Sequence, residues 1–306
     1  MNRFERGTER SQGLRVSFEF FPPGTQRLER ALWHALECLA PLAPDFVSVT
    51  YGAAGSTRMR THDIVTAIRR QTSLTPAAHL TCVGASLNDI QMILRRYRDS
   101  GIRHIVALRG DPPEGQGSFA PHPQGYAHAA DLVSGIRSFA DFEVSVAAHP
   151  EGHPGTPGIK AEIENLKRKE DAGAVRAITQ YFFDPAIYFR FRDEARRSGI
   201  RMPIVPGILP VSDFAQLGRI SARCGAQVPS WLRELFAGLD HDPETGKLVG
   251  AQVTASLCQS LQREGVESLH FYTLNRPELT RAICRFLGIV ESTPRIAPKA
   301  PPDLRV

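Results

Sequence analysis

The feature that most constrains the fold of this 306-residue chain is a regular alternation of short β-rich runs with amphipathic stretches. The β-rich runs are dominated by branched and aromatic side chains, which favour strands. Eight of them occur, at Arg15–Phe21, Phe46–Tyr51, Ala77–Cys82, His104–Leu108, Glu143–Ala148, Ala174–Phe182, Ile204–Ile208 and Ser268–Tyr272. Strands separated by helical connections are expected to pair in parallel.

The stretches between these runs have the periodicity of amphipathic helices. They cover Thr25–Leu42, His62–Gln71, Leu87–Ser100, Ala127–Phe139, Ile159–Ala172, Pro185–Ser198 and Pro277–Leu287. Ser86, with Asp89 three residues later, predicts a helix N-cap. Glycines at positions 101, 173 and 199 follow three of the stretches, where a left-handed cap is needed.

Eight strand–helix units predict an α/β fold of the (β/α)8 TIM type. The segment between the seventh and eighth strands is longer than the others, and Pro229-Ser230-Trp231 predicts an extra helix there. The alternative is an open doubly wound sheet, which would need a Gly-rich turn after the first strand. The first strand instead ends in Phe20-Phe21-Pro22-Pro23, and no GxGxxG or Walker sequence occurs. The barrel is therefore favoured, without a Rossmann-type nucleotide site.

The predicted barrel is a single domain over residues 14–290. It lies between a polar N-terminal segment, residues 1–13, and a Pro-rich tail, residues 291–306, both of which are expected to be mobile. Hydrophobic residues make up 42% of the chain and charged residues 23%, as is typical of a globular domain. This composition excludes disorder as the main state of the chain.

Composition also bounds the location and the partners. No apolar run approaches the ~18 residues of a membrane helix, and the N-terminus lacks the apolar region of a secretory signal. Five cysteines without a CxxC pair argue against a disulfide framework and a zinc site. We therefore expect a cytoplasmic protein without a membrane partner. The net charge of +5 is dispersed, which indicates attraction for small anions and not a nucleic-acid surface.

Polar side chains occur near the C-terminal ends of almost all the predicted strands, where TIM barrels have their active sites. On the first strand, alternation places Phe18 and Phe20 outward and Glu19 inward. The other strands contribute Thr50, His79, Arg109, Asp111, His149, Gln180 and Arg276. Each of these residues has a structural explanation when taken singly. A barrel does not need a complete polar ring for stability, so the ring as a whole indicates a functional site.

The sixth strand is preceded by a basic helix that follows the sequence His149-Pro-Glu-Gly-His153. Asn165, Arg168 and Lys169 share one face of this helix. Such runs usually face solvent, but this position makes an anion site more plausible. The two histidines and Glu151 lack a third well-placed ligand, so no metal site is predicted.

Eight segments resemble, in order, those of the methylenetetrahydrofolate reductase family, in its short bacterial form. They are Phe18–Pro23, Val47–Gly52, His79–Cys82, Leu108–Pro113, Glu164–Lys169, Ile178–Asp184, Pro206–Pro210 and Phe271–Arg276. Each motif is weak alone, but eight in register over residues 14–290 are specific. The resemblance implies a homo-oligomeric, FAD-dependent barrel enzyme of one-carbon metabolism and methionine biosynthesis. Such enzymes reduce 5,10-methylenetetrahydrofolate to 5-methyltetrahydrofolate with NADH or NADPH by a ping-pong mechanism.

The resemblance also implies roles for individual residues. Glu19 matches the family's general acid, and Asp111 matches an aspartate near the flavin that also contacts the pterin. Gln180 matches a glutamine that serves both nicotinamide and folate, and Gln216 and Arg276 match other substrate positions. FAD and nicotinamide positions correspond to Thr50, Tyr51, Ala53, His79, Arg109, Gly110, Tyr126, Ala127, His149, His153, Glu162, Asn165, Arg168 and Lys169.

Three residues depart from the family pattern, with consequences expected for flavin tuning and NADH affinity. His149 replaces a tyrosine, Glu162 an aspartate and Ile220 an aromatic residue. Three alternatives stay open. The first is another FAD barrel oxidoreductase, similar to proline dehydrogenase. The second is a flavin- or folate-binding accessory subunit without turnover, and the third is a purely structural polar ring.

A proton donor that works at neutral pH needs a carboxyl group with a raised pKa. Phe18, Phe20 and Phe21 flank Glu19 in the sequence. This aromatic setting predicts desolvation of the carboxyl group and therefore a raised pKa.

Overall fold

The computed structural model describes residues 13–51, 58–111 and 119–291. Of the segments expected to be mobile, residues 1–12 and 292–306 lie outside the described residues, and the domain boundaries at 14 and 290 stay a prediction. In the described residues all strands belong to one sheet. They are β1 (Arg15–Phe20), β2 (Val47–Val49), β3 (Pro76–Thr81), β4 (His104–Leu108), β5 (Glu143–Ala148), β6 (Arg176–Thr179), β7 (Ile204–Val205), β8 (Gly207–Ile208) and β9 (Ser268–Tyr272).

Every strand pair is parallel, and the order is β7-β6-β5-β4-β3-β2-β1-β9-β8. Because β7 and β8 are consecutive in the chain, the two ends of this order meet, and the sheet is a nearly closed barrel. The α/β TIM-type fold is thus confirmed.

The barrel closes at a strand that the sequence predicted as continuous from Ile204 to Ile208. Pro206 interrupts it, since proline has no N–H to donate to a ladder. β7 pairs with β6 and β8 pairs with β9, so the two halves of one extended segment join opposite edges of the sheet. Gly207 donates its N–H to Thr179 Oγ1 at 2.9 Å. A Cβ at Gly207 would lie 2.7 Å from the Tyr272 ring, so the seam requires a glycine here.

Helices cover the outside of the barrel and follow the strands in sequence. They are α1 (Gln26–Leu39), α2 (Arg58–Gln71), α3 (Leu87–Asp99), α4 (Ala129–Phe139), α5 (Gly158–Asp171), α6 (Pro185–Arg197), α7 (Phe214–Cys224), α8 (Ser230–Phe236), α9 (Pro243–Arg263) and α10 (Pro277–Phe286), with a short 3-10 turn at Ala40–Leu42. The predicted cap of α3 is confirmed, because the Ser86 and Asp89 side chains form a reciprocal capping box.

The insertion between β8 and β9 is larger than the sequence indicated. The expected extra helix is present as α8, but α7 precedes it and α9 follows it. Asp213 caps α7 by accepting from the Gln216 N–H, and Gly225 ends it with a φ of 71°. An aspartate at the N-cap and a left-handed glycine at the C-cap are common helix-end signals, but they were not used to predict α7 from the sequence.

The main core lies between the strands and the helices. Phe18, Phe20 and Phe271 are fully buried there with Leu32 and Leu36 of α1, as strand alternation predicted. A second, small cluster fills part of the barrel interior, with Phe46, Ala77, Val106 and Ile178. Among the described residues, no helix combines the length and the apolar composition needed to cross a membrane.

Candidate active site

The side chain of Glu19 reaches into the barrel and is 9% exposed. Its Oε2 lies 3.3 Å from His79 Nε2 on β3 and 3.6 Å from His270 Nε2 on β9. Neither contact has the alignment of a hydrogen bond. On its other side, the His270 ring is held by Ser17, whose Oγ lies 2.7 Å from Nδ1. The structure therefore gathers a carboxyl group and two imidazoles from three strands into one buried cluster.

Burial raises the pKa of Glu19, but the nearby His79 and His270 outweigh it and lower the pKa to about 2. The expectation of a raised pKa is therefore wrong for this arrangement. The reason is that the aromatic neighbours point away from the carboxyl group. Phe18 and Phe20 face the helices, and the side chains beside the carboxyl group inside the barrel are the imidazoles of His79 and His270. Burial lowers the pKa of His270, partly against the effect of Glu19. Once His270 is neutral, one of the two imidazole charges that oppose the effect of burial is gone, which favours a protonated Glu19.

His270 was missed by the sequence reading, although the signal was present. Ser268–Tyr272 has the length of a strand, and alternation puts His270 and Tyr272 on the face opposite Phe271. The Tyr272 hydroxyl donates at 2.7 Å to the carbonyl oxygen of Thr179, the last residue of β6, which Gln180 follows. Both residues line the same end of the barrel as Glu19.

The loop after β4 brings Arg109, Gly110 and Asp111 to the rim. Gly110 has a φ of 88°, and a Cβ there would lie 2.5 Å from Val83 Cγ1, so only glycine fits. The Arg109 guanidinium stacks 4.7 Å above the Phe119 ring. Asp111 is exposed. Burial raises the pKa of Cys224, and Asp111 and Glu19 raise it further, which places the end of α7 within electrostatic reach of both carboxylates.

A second carboxyl–imidazole pair lies between β5 and α5. Glu162 is 2% exposed, and its Oε1 lies 3.0 Å from His149 Nδ1. Burial raises the pKa of Glu162, but the bond to His149 and the charge of Lys169 outweigh it, so the pKa is lowered. The His149 ring meets the His153 ring edge-on at 4.8 Å. Burial also lowers the pKa of His153.

The basic residues of α5 are only partly arranged as predicted. Arg168 is exposed and donates to Asn165 Oδ1, so these two do share a face. Lys169 turns toward the barrel, where its Nζ donates to the Ala147 carbonyl oxygen at 2.8 Å. Burial lowers the pKa of Lys169, and the charges of Arg109 and Arg168 lower it further. Three cations therefore lie near one another, a donor set that fits a pyrophosphate.

The predicted substrate residues lie around the β6 and β9 ends. Gln180 Oε1 accepts from the Tyr181 N–H at 3.1 Å, and the Tyr181 hydroxyl lies 3.0 Å from Ser221 Oγ on α7. Gln216 is in the first turn of α7, and Arg276 donates to Ser212 Oγ at 3.3 Å, just before that helix. Ile220 packs on the apolar cluster that contains Tyr181. This contact fixes α7 beside the barrel mouth.

The remaining predicted residues are more scattered. The carbonyl oxygen of Thr50 accepts from the Thr61 hydroxyl at 2.9 Å, and Tyr51 is buried. Tyr126 packs against Gly135 on α4, beside the half-buried Ala127. Ala53 lies outside the described residues. In the part of the chain that the structure describes, no cluster of three or more histidine, cysteine or carboxylate side chains could hold a metal ion.

Comparison with known proteins decides the family of this barrel. The family model described as methylenetetrahydrofolate reductase matches residues 3–288. The chain belongs to the methylenetetrahydrofolate reductase family. It is 50% identical over 276 residues to the 5,10-methylenetetrahydrofolate reductase of Salmonella typhimurium, covering 90% of this chain and 91% of that relative. Methylenetetrahydrofolate reduction, an oxidoreductase reaction of folate one-carbon metabolism, is thereby supported.

Two further matches widen the comparison. The chain is 34% identical over 304 residues to methylenetetrahydrofolate reductase (NADH) 1 of Arabidopsis thaliana, covering 96% of this chain and 51% of that relative. A solved protein from Clostridium thermocellum, described as binding two copies of 5-methyl-5,6,7,8-tetrahydrofolic acid, superimposes with a TM-score of 0.56 at 13% identity. It covers 91% of this chain and 96% of that protein, and at this identity it supports the fold alone.

Proposed function

We propose that this family member reduces 5,10-methylenetetrahydrofolate to 5-methyltetrahydrofolate through bound FAD, with NADH or NADPH as the hydride donor, in two successive half-reactions. The observation that carries the proposal is the Glu19 carboxyl group inside the barrel, 3.3 Å from His79 Nε2. The names of the relatives agree with it, since the Salmonella relative is a 5,10-methylenetetrahydrofolate reductase and the Arabidopsis relative an NADH enzyme.

The rim between β4 and α5 is where FAD would bind. Arg109, Arg168 and Lys169 would hold the pyrophosphate by charge-assisted hydrogen bonds, with Asn165 beside them. The other contacts proposed for the cofactor come from Thr50, Tyr51, Ala53, His79, Gly110, Tyr126, Ala127, His149, His153 and Glu162. When bound, FAD supplies the isoalloxazine ring that accepts a hydride from the nicotinamide and gives it to the folate.

Glu19 would supply the proton that the folate needs. Protonation of a folate nitrogen opens the five-membered ring and leaves an iminium ion, which can accept a hydride. The carboxyl group must therefore hold a proton before this step. Burial favours the neutral, protonated form of Glu19, and the lowered pKa of His270 favours loss of one of the two imidazole charges that oppose it.

The polar side chains at the β6 and β9 ends would orient the substrates. The Gln180 amide offers a donor and an acceptor to either the pterin or the nicotinamide, which suits a site that two substrates occupy in turn. Arg276 would bind a carboxylate of the folate tail, and Gln216 would bind nearby on α7. Asp111, at the rim, would contact the pterin ring as an acceptor.

A Glu19→Gln variant tests the acid role. The substituted amide keeps the shape of the side chain but holds no transferable proton. We expect folate reduction to fall by about 10²- to 10⁴-fold, the usual contribution of a general acid. NADH oxidation with an artificial acceptor should stay unchanged. The matched control is Glu143→Gln, which alters a carboxylate at the opposite end of the barrel. If both half-reactions of Glu19→Gln match the natural protein, the assignment is wrong.

A Lys169→Ala variant tests the cofactor site. It removes one cation of the proposed pyrophosphate site and the bond to Ala147. FAD should then be lost during gel filtration, and thermal stability should fall because bound ligand stabilises by mass action. Lys160→Ala, on the same helix and exposed, is the control. A purified protein that retains FAD equally in both variants, or that never acquires a flavin spectrum, would contradict the proposal.

We further propose that the protein acts in the cytoplasm as a homo-oligomer. The support is the family resemblance, which implies a homo-oligomer. Light scattering of the FAD-loaded protein measures the oligomeric state, and a monomer across the working concentration range would contradict this part of the proposal.

A further inference from the structure

The turn that follows β9 is bonded to the end of β1, the strand that carries Glu19. Thr273 is 3% exposed, and its Oγ1 donates to the carbonyl oxygen of Glu19 at 2.7 Å. The backbone N–H of Thr273 donates to the same oxygen at 3.2 Å. The carbonyl group of the proposed proton donor is therefore held by two donors from one residue.

Asn275 continues this contact one step further along β1. The Phe21 N–H donates to Asn275 Oδ1 at 2.9 Å, and Asn275 Nδ2 donates to the Phe21 carbonyl oxygen at 3.0 Å. A primary amide has a carbonyl acceptor and an NH2 group with two donors, so it can bond the N–H and the C=O of a peptide backbone at once. The side chain thus bonds both backbone groups of Phe21, as a neighbouring strand would.

The backbone conformation after β9 explains why side chains, and not a continued strand, bond the end of β1. Leu274 and Asn275 have φ values of 51° and 56°, in the left-handed region that leucine seldom adopts. Two consecutive left-handed residues turn the chain away from the sheet, so the backbone bonds between β9 and β1 end with the one from the Thr273 N–H to the Glu19 carbonyl oxygen. The Asn275 side chain replaces the bonds that the turn removes, and the Thr273 hydroxyl group adds a second donor to the last backbone bond. Strained backbone of this kind persists where the surrounding structure holds it firmly, often at functional sites.

The opposite edge of β1 is held differently. There the Thr50 N–H donates to the Phe20 carbonyl oxygen at 3.0 Å, as a direct continuation of the β1–β2 pairing. The end of β1 from Glu19 to Phe21 is thus fixed on both edges, on one by the backbone of Thr50 and on the other by the Thr273 N–H together with the side chains of Thr273 and Asn275. Loss of these side chains would loosen the end of β1 on that edge only.

We propose that Thr273 and Asn275 are positioning residues that set the Glu19 carboxyl group for proton transfer to the folate. The inference rests on the proposed acid role of Glu19 and goes beyond it, because neither residue contacts the carboxyl group itself. Reaction rates depend steeply on such placement, and a displacement of about 1 Å can cost on the order of 10²-fold. The two half-reactions should respond differently, since hydride transfer from the nicotinamide needs no proton from Glu19.

The test compares the two half-reactions in the FAD-loaded protein by anaerobic stopped-flow absorbance. Thr273→Val removes the hydroxyl group while keeping the branched shape, and Thr273→Ser should restore it. Asn275→Gly removes the amide and keeps a residue that adopts positive φ without strain. Glu19→Gln is measured in the same series, and the melting temperature of each variant is recorded.

We expect Thr273→Val and Asn275→Gly to slow oxidation of the reduced flavin by methylenetetrahydrofolate by on the order of 10²-fold. Flavin reduction by NADH should stay at the natural rate, and Thr273→Ser should recover the folate rate. A uniform loss in both half-reactions that follows the melting temperature would mean a merely structural turn and would overturn the inference. Natural rates in both variants, with Glu19→Gln still inactive toward folate, would overturn it as well. An active Glu19→Gln would instead overturn the proposed function.

Discussion

The barrel contains two polar clusters, one at its mouth and one at its floor, which each contain a carboxylate and a histidine but differ in the partner of the carboxylate. At the mouth, Glu19 meets the imidazoles of His79 and His270. At the floor, the carboxylate of Glu143 meets Arg176 at 2.6 Å, a partner that is always charged. The two carboxylates therefore differ both in burial and in partner: imidazoles surround the buried Glu19, whereas a guanidinium meets the half-exposed Glu143.

The floor also has a histidine, but one held in a single state. His104 Nε2 lies 2.8 Å from Ser145 Oγ, which also accepts from Arg176 at 3.2 Å. Burial, followed by the charge of Arg176, lowers the pKa of His104 to about 3. His104 is thus neutral at all ordinary pH values. Burial and the nearby Arg176 guanidinium together keep this imidazole uncharged.

Phe46 separates the two clusters. Its ring meets His104 edge-on at 4.5 Å and stacks on His270 at 5.6 Å. The Arg176 guanidinium lies 5.0 Å from the same ring. This apolar, 3% exposed side chain packs against both His270 and the floor cation, whose charge contributes to the lowered pKa of His270.

Replacing Phe46 with Ala should have the largest effect. A phenylalanine truncated in a core typically costs about 3–5 kcal/mol, measured here by chemical unfolding. The new space would bring water and the Arg176 charge closer to His270, so the pH optimum of folate reduction should move as well. Phe46→Leu, which keeps most of the volume, is the control. Loss of stability without any change in the pH profile would show that the two clusters do not depend on this separator.

His104→Gln should have a smaller effect near neutral pH, because its influence on stability is confined to acid pH. Because the folded state disfavours protonated His104, the unfolded chain binds more protons as pH falls below 6.5. The natural protein should therefore lose about 1.4 kcal/mol of unfolding free energy per pH unit from this residue, over the window from 6.5 down to about 3. The variant should lack this part of the slope and keep the part due to His270, whose pKa is also lowered. Identical slopes in urea titrations across that window would contradict the neutral assignment.

Glu143→Gln should have the smallest effect. The Glu143 side chain is 46% exposed, and exposed ion pairs usually contribute about 0.2–1 kcal/mol. Unfolding free energy should change by no more than this, and both half-reactions should keep their natural rates. A marked loss of folate reduction in this variant would break the distinction between mouth and floor.

Strand alternation was sufficient to place Glu19 inside the barrel with Phe18 and Phe20 outside, because a two-residue period needs only local sequence. The same reading gave the wrong direction for the pKa of Glu19. His79 and His270 come from strands far apart in the chain, and their proximity follows only from barrel closure. The α5 cations were identified as a group, but the inward turn of Lys169 depends on the Ala147 carbonyl oxygen of β5.

The split at Pro206 has a consequence for how the cylinder opens. Only two residues on either side of the proline join the sheet, so β7 and β8 have the shortest ladders in the barrel. Two hydrogen bonds to Thr179, from the Tyr272 hydroxyl and from the Gly207 N–H, reinforce this closure. Local openings begin where the fewest backbone bonds must break. We therefore expect hydrogen exchange of the backbone amides to start at β7 and β8. Any widening there would first separate Gln180, at the end of β6, from β9, the strand that pairs with β1 at Glu19.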